Sequence, residues 1–188
     1  MPKDNIDKVL KKAETGDLSD YSEIRYEGFG PEGVSIIVEA LTDNKNRTAS
    51  EVRTVFNKFN GNLGENGCVS YLSDKIGSVI YGSLSGEINN FIEFSIENDT
   101  KDIIENNEFY EIITKLENFN EITENFTEKF GHPESANIIW KAKDLVKVSE
   151  NSILTTYKLI SGLDDCEDVQ NVFYNFELDD KDLALIEQ

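Results

Sequence analysis

Histidine, methionine and tryptophan occur once each in these 188 residues, proline three times and cysteine twice. His132 stands alone between Gly131 and Pro133, and Cys68 and Cys166 lie far apart with no C-x-x-C partner. Neither a Ser/His/Asp constellation nor a familiar zinc site finds enough members, and His132 reads as a solvated loop residue. The cysteines read as buried free thiols, without a disulfide. No apolar stretch approaches the roughly 20 residues that span a bilayer, and MPKDNIDKVLKK lacks the apolar core of a signal peptide, so a cytoplasmic protein without membrane contact is expected. Positive charge is the other scarcity. The 18 Lys+Arg against 37 Asp+Glu leave a formal charge of -19, which repels a phosphate backbone at long range and excludes unspecific nucleic-acid binding. Residues 1–70 hold 9 basic and 12 acidic residues, residues 71–188 hold 9 and 25, so a basic patch has only the first third to occupy.

At 38% hydrophobic residues the chain can nevertheless build a core, as one large domain or two small ones. Pro2, Asp4 and the face of Ile6, Val9, Leu10 and Ala13 predict a short N-terminal helix. Ile24 and Tyr26 alternate with polar neighbours, Gly28 to Gly33 form a turn, and Val34 to Leu41 is rich in β-branched residues, which together predict a hairpin. Thr48 with Glu51 three residues on resembles a capping box, and Val52, Val55, Phe56 and Phe59 then recur at helical spacing up to Gly61. A loop from Gly61 to Gly67 leads into a short strand, Cys68 to Leu72. In the middle, Lys75 to Tyr81 and Phe109 to Ile113 read as strands. A helix over Glu87 to Glu97 would turn Ile88, Phe91, Ile92 and Ser95 inward. Ile122, Phe126 and Phe130 mark a second helix ended by Gly131 and Pro133, and Asn137 to Val148 reads as extended. Ile153, Leu154, Tyr157 and Ile160 mark a last helix. Val172, Tyr174, Phe176 and Leu178 then alternate as a final strand.

Two patterns imitate chemistry. Gly28-Phe29-Gly30-Pro31-Glu32-Gly33 matches G-x-G-x-x-G, but a strand follows where a dinucleotide site needs a helix, and Glu32 places a negative charge where the pyrophosphate would lie. The expected reading is a hairpin whose glycines supply positive φ. Acidic pairs such as Asp164 and Asp165, or Asp179 and Asp180, lack the spacing of a calcium loop and read as solvated charge. There is no P-loop and no H-E-x-x-H, so no enzyme activity is expected. One constellation suits a polyanion: Lys45, Asn46 and Arg47, read as a loop before a helix N-terminus, with Arg53 and Lys58 further along the helix. Ordinary turn residues and a solvated helix face are equally consistent with it.

MPKDNIDKVLKKA, RYEGFGPEGVSIIVEALTDNKNRTASEVR, FNKFNGNLGENGCVSYL and DDCEDVQNVFYNFEL resemble, in this order, the landmarks of the YebC family. That family includes bacterial regulators of transcription or translation and a mitochondrial translational activator. The resemblance implies an α+β architecture with no cofactor and no catalytic residues. It implies action through DNA or through the ribosome and its RNA, and gives no reason to expect a small-molecule substrate. Relatives begin with a basic helical domain of which MPKDNI is the end; Met1 is then an internal residue or the start of a truncated form. The expected architecture is two small ferredoxin-like α/β sandwiches. Residues 1–16 are a helix left from the N-terminal domain, 17–73 with 149–188 form a first domain in β-α-β-β-α-β order, and 74–148 form an inserted acidic domain. The rival to a nucleic-acid regulator is a protein-interaction module whose acidic middle domain takes a basic protein partner.

Overall fold

A computed structural model describes residues 21–179, 181–182 and 186. The expected helix over residues 1–16 lies outside them. The chain separates into two compact units, one running through Ser73 and resuming at Ala142, the other spanning Asp74–Lys141. Each is an α+β module with a four-stranded antiparallel sheet.

In the first unit β1 (Ser22–Phe29) and β2 (Ser35–Thr42) form a hairpin, in register from Ser22 opposite Thr42 to Phe29 opposite Ser35. Its turn is a short 3-10 segment, Pro31–Gly33, in which Glu32 and Gly33 have φ of 54° and 84°. Gly33 is thus the one glycine of the motif with positive φ, and Glu32 shares the task. Gly28 serves a different need: a Cβ there would lie 2.6 Å from the Asn62 carbonyl oxygen and 2.7 Å from the Phe56 ring.

Helix α1 (Lys45–Lys58) follows, then β3, the two residues Asn62–Leu63, which pair with β1. The chain returns through α4 (Glu150–Asp164) and β8 (Val169–Tyr174), which pairs with the other edge of β2. Sheet order is β3-β1-β2-β8. Since β1 is antiparallel to both β2 and β3, those two are parallel strands joined by α1 with β1 between them. Val34, Ile36, Val38 and Ala40 face Val52 and Phe56 of α1 and Ile153, Leu159 and Leu163 of α4. Full burial of such side chains stabilises the fold by about 1.5–3 kcal/mol each.

The strand expected over Cys68 to Leu72 is instead a turn ending in a 3-10 segment, Ser70–Leu72. Its cause lies on β1. The fully buried Glu27 carboxylate accepts hydrogen bonds from the Val69 and Ser70 amides at 3.0 and 2.9 Å and pairs with Arg25 at 2.9 Å. Amides held by a carboxylate are not available to a sheet ladder. The final strand stops at Tyr174, whose side chain is exposed, while Phe176 makes a single bridge to Val146. That bridge belongs to the first unit, so residues 142–148 are with it, not with the middle.

The second unit runs β4 (Ser73–Gly82), α2 (Ile88–Glu97), β5 (Asp102–Glu105), β6 (Phe109–Thr114), α3 (Phe119–Phe130) and β7 (Ser135–Ala142). Sheet order is β5-β6-β4-β7. The β-α-β-β-α-β succession expected of the first domain is therefore the succession of the middle one. Its core is aromatic: Phe91 and Phe130 stack with centroids 4.0 Å apart, with Tyr81, Tyr110 and Phe126 around Phe91. Ile92, expected inward, is exposed, and Phe94 contacts the Phe126 ring instead.

Candidate nucleic-acid interface

The five cationic and polar residues singled out in the sequence all lie on α1, but not as expected. The N-cap is Asn44, whose side chain accepts from the Arg47 amide at 3.1 Å, so Lys45, Asn46 and Arg47 form the first turn of the helix rather than a preceding loop. Thr48 is no cap. It is fully buried, and its hydroxyl donates to Asp168 at 2.6 Å and lies 2.8 Å from that of Thr42. At the far end Asn60 adopts φ of 58°, a left-handed conformation that asparagine tolerates after a helix, and the Gly61 amide returns to the Phe56 carbonyl at 2.8 Å.

Asp168, just ahead of β8, ties this helix end down. Arg47 donates to both its oxygens at 2.8 and 2.9 Å and to Asp43 at 3.0 Å, and Thr42 donates to it at 3.0 Å. Burial pushes the Asp168 carboxyl up, but the hydrogen bonds from Thr48, Arg47 and Thr42, with the Arg47 charge, hold it below its ordinary value. The same contacts raise the Arg47 guanidinium. Arg47 is thus an internal brace, although its outer surface is exposed. Lys45, Asn46 and Arg53 are exposed and make no side-chain hydrogen bond or ion pair among the described residues. Lys58 lies over the Phe59 ring at 5.1 Å from its centroid. With 3.6 residues per turn, Arg53 and Lys58 are about 140° apart round the helix. They mark two flanks of one exposed face.

The first turn of α1 contains no acidic residue. Asp43 and Asp168 offset Arg47 there, so Lys45 is the uncompensated cation of the first turn, with the same sign as the helix end and open to an anionic ligand. The opposite flank is acidic: Glu51 faces Asp165, Cys166 and Glu167 at the end of α4. Burial first, then Glu51, Asp165 and Asp168, push the Cys166 thiol up to about 11, so it is protonated at neutral pH. Cys68 is likewise raised, by burial and by Glu27 and Glu65. Both thiols are free. His132 is exposed in its loop. Sequence reasoning missed Asp168, for which the only local signal is its place in DDCEDV.

No helix among the described residues is long and apolar enough to cross a membrane. Two antiparallel α+β modules, one threaded through the other in sequence and bearing a cation-rich helix, define the class of protein. The family model described as TACO1/YebC second and third domain, named Transcrip_reg, matches residues 21–176, and the chain belongs to this family of regulatory proteins. The crystal structure of a conserved hypothetical protein from Aquifex aeolicus is similar, with a TM-score of 0.79 and 38% identity over 94% of this chain and 74% of that one.

Proposed function

We propose that the protein is a non-enzymatic, cytoplasmic regulator of gene expression that holds DNA or ribosomal RNA on the exposed face of α1, with no cofactor and no small-molecule substrate. The observation that carries this reading is local. In a chain of charge -19, Lys45, Arg53 and Lys58 stand on one helix with no counter-charge paired to them among the described residues, while Arg47 is neutralised by Asp43 and Asp168. An unpaired Lys45 at the positive end of a helix breaks a local rule of stability, and such departures collect at functional sites. The brace from Asp168 to Arg47 and Thr48 fixes the helix end rigidly, as a docking surface requires.

The test is reversal of Lys45 and Arg53 to Glu. Arg47 is left intact, because its loss would also strip Asp168 of a partner. Co-sedimentation with ribosomes and retention on DNA are measured at two salt concentrations. Weakened binding, with a salt slope shallower by about 2, is expected; unchanged binding removes this face from consideration.

A second reading has its own observation. Glu93 and Glu97 on α2 and Glu121, Glu124 and Glu128 on α3 are exposed, as is Ile96 at 76%. Such a surface suits a basic protein partner. A pull-down that survives nuclease and is lost when these carboxylates are neutralised would favour it.

A further inference from the structure

Helices α1 and α4 flank a groove that changes sign along its length. At one end, a depression of about 430 Å³ carries Glu51, Asp165 and Glu167. At the other, a depression of about 340 Å³ is lined by Lys58, Phe59, Tyr157, Lys158, Ser161 and Gly162, with Asp165 at the join. Gly162 makes this shape possible. A Cβ there would lie 3.1 Å from Val55 and 3.3 Å from the Phe59 ring, so a larger residue would fill the floor and push the helices apart.

The second depression combines three features that seldom meet in so acidic a chain. Tyr157 leaves 41% of its surface exposed where the helical spacing with Ile153 and Ile160 would permit burial. Phe59, half-buried against the core, forms an apolar floor beside it. Lys58 and Lys158 project from the two walls, both exposed and neither paired with a carboxylate among the described residues. An exposed aromatic ring between two cations is the arrangement that stacks a free base and holds its flanking phosphates, and it offers nothing to a base still paired in a duplex.

We infer that this groove is a subsite for one unstacked nucleotide of a single-stranded nucleic acid. Tyr157 takes the base, and Lys58, whose ammonium lies over the Phe59 ring, and Lys158 take the phosphates on either side. The carboxylates at the opposite end repel the strand, so it enters and leaves past the lysines. Lys58 belongs both to the groove and to the α1 face, which makes the two parts of one track. The inference rests on the nucleic-acid reading of α1 and adds to it the single-stranded state of the target.

The test is fluorescence anisotropy of labelled 12-nucleotide oligouridine, its deoxy counterpart and a duplex of equal length. Wild type, Y157A, Y157F, K158E and K45E/R53E are compared, with thermal melts by circular dichroism. Wild type is expected to bind single strands more tightly than duplex. Y157A should weaken single-strand binding about tenfold and Y157F less than twofold, while K158E weakens it with a shallower salt dependence. The ribo and deoxy arms show which strand is preferred. Should Y157A and K158E bind as wild type does while K45E/R53E fails, the groove is excluded and the α1 reading stands. Preference for duplex with Y157A silent also excludes the groove. Should wild type bind none of the three, the groove is excluded, and ribosome co-sedimentation alone decides the α1 reading. Lys158 is exposed, so K158E decides the matter even if Y157A misfolds.

Discussion

The two units lay out the same frame with different adhesives. Each sets two helices against four antiparallel strands, counting the named elements among the described residues, and in each a pair of parallel strands joined by a helix is separated by a third strand. The middle unit closes on rings: Phe91 touches Tyr81, Tyr110, Phe126 and Phe130. The outer unit closes on mainly aliphatic side chains around Phe56, together with the two buried carboxylates found among the described residues, Glu27 and Asp168. Each carboxylate does what a hydrophobic contact cannot, holding donors in one direction: Glu27 the amides of Val69 and Ser70, Asp168 the side chains of Thr42, Arg47 and Thr48. Glue of the first kind tolerates any surface charge. Glue of the second kind places a helix end, and here that end carries the cations.

Removing the aromatic centre tests the contrast most severely. Phe91→Ala should cost about 3–5 kcal/mol in denaturant unfolding. Amide exchange should rise across residues 74–141 first; equal loss of protection in the outer unit would erase the distinction between the cores. Asp168→Ala removes the shared acceptor of Thr42, Thr48 and Arg47 and should cost about 2 kcal/mol, with lost protection at the start of α1. Gly28→Ala, which forces a methyl against the Asn62 carbonyl and the Phe56 ring, should cost about 1–3 kcal/mol, and Gly77→Ala is its counterpart in the middle unit, where Phe119 and Thr114 press on the glycine.

Acid titration separates the units more gently. Burial raises Glu27, but the amides of Val69, Gly67 and Ser70 and the charge of Arg25 bring it below its ordinary 4.5, and Asp168 is held below 3.8. A depressed carboxyl contributes stability above its unfolded value and loses it as pH falls through the folded one. The outer unit should therefore weaken from about pH 4 downward, ahead of the middle unit, as read by exchange at graded pH. The smallest effect belongs to Glu32→Gly. Glycine suits φ of 54°, but the bonds from the Ser149 amide and hydroxyl at the head of α4 are lost. The melting temperature should move by no more than about 2 °C.

These contrasts also explain which parts of the sequence could be read. The hairpin was legible because alternation and Gly33 are local signals, and α3 because Ile122, Phe126 and Gly131 mark its face and its end. The cap of α1 was misplaced to Thr48 because the partner that buries that hydroxyl, Asp168, lies 120 residues away. Cys68 to Leu72 has the composition of a strand, and only the distant Glu27 makes it a turn. The cations of α1 could be named from sequence, but Tyr157 and Lys158 could not be joined to Lys58, since nothing in α4 announces which helix it meets.

The position of Asp168 in the chain has a consequence for synthesis. Residues 74–141 are contiguous and hold a whole unit, so they can fold as soon as they emerge, whereas the outer unit waits for its last strand. Until Asp168 has left the translating ribosome, Arg47 and Thr48 have only local partners, Asp43 and Thr42, and the basic helix lacks its long-range anchor. The protein thus acquires its rigid cationic face only after the whole of the middle unit has been made.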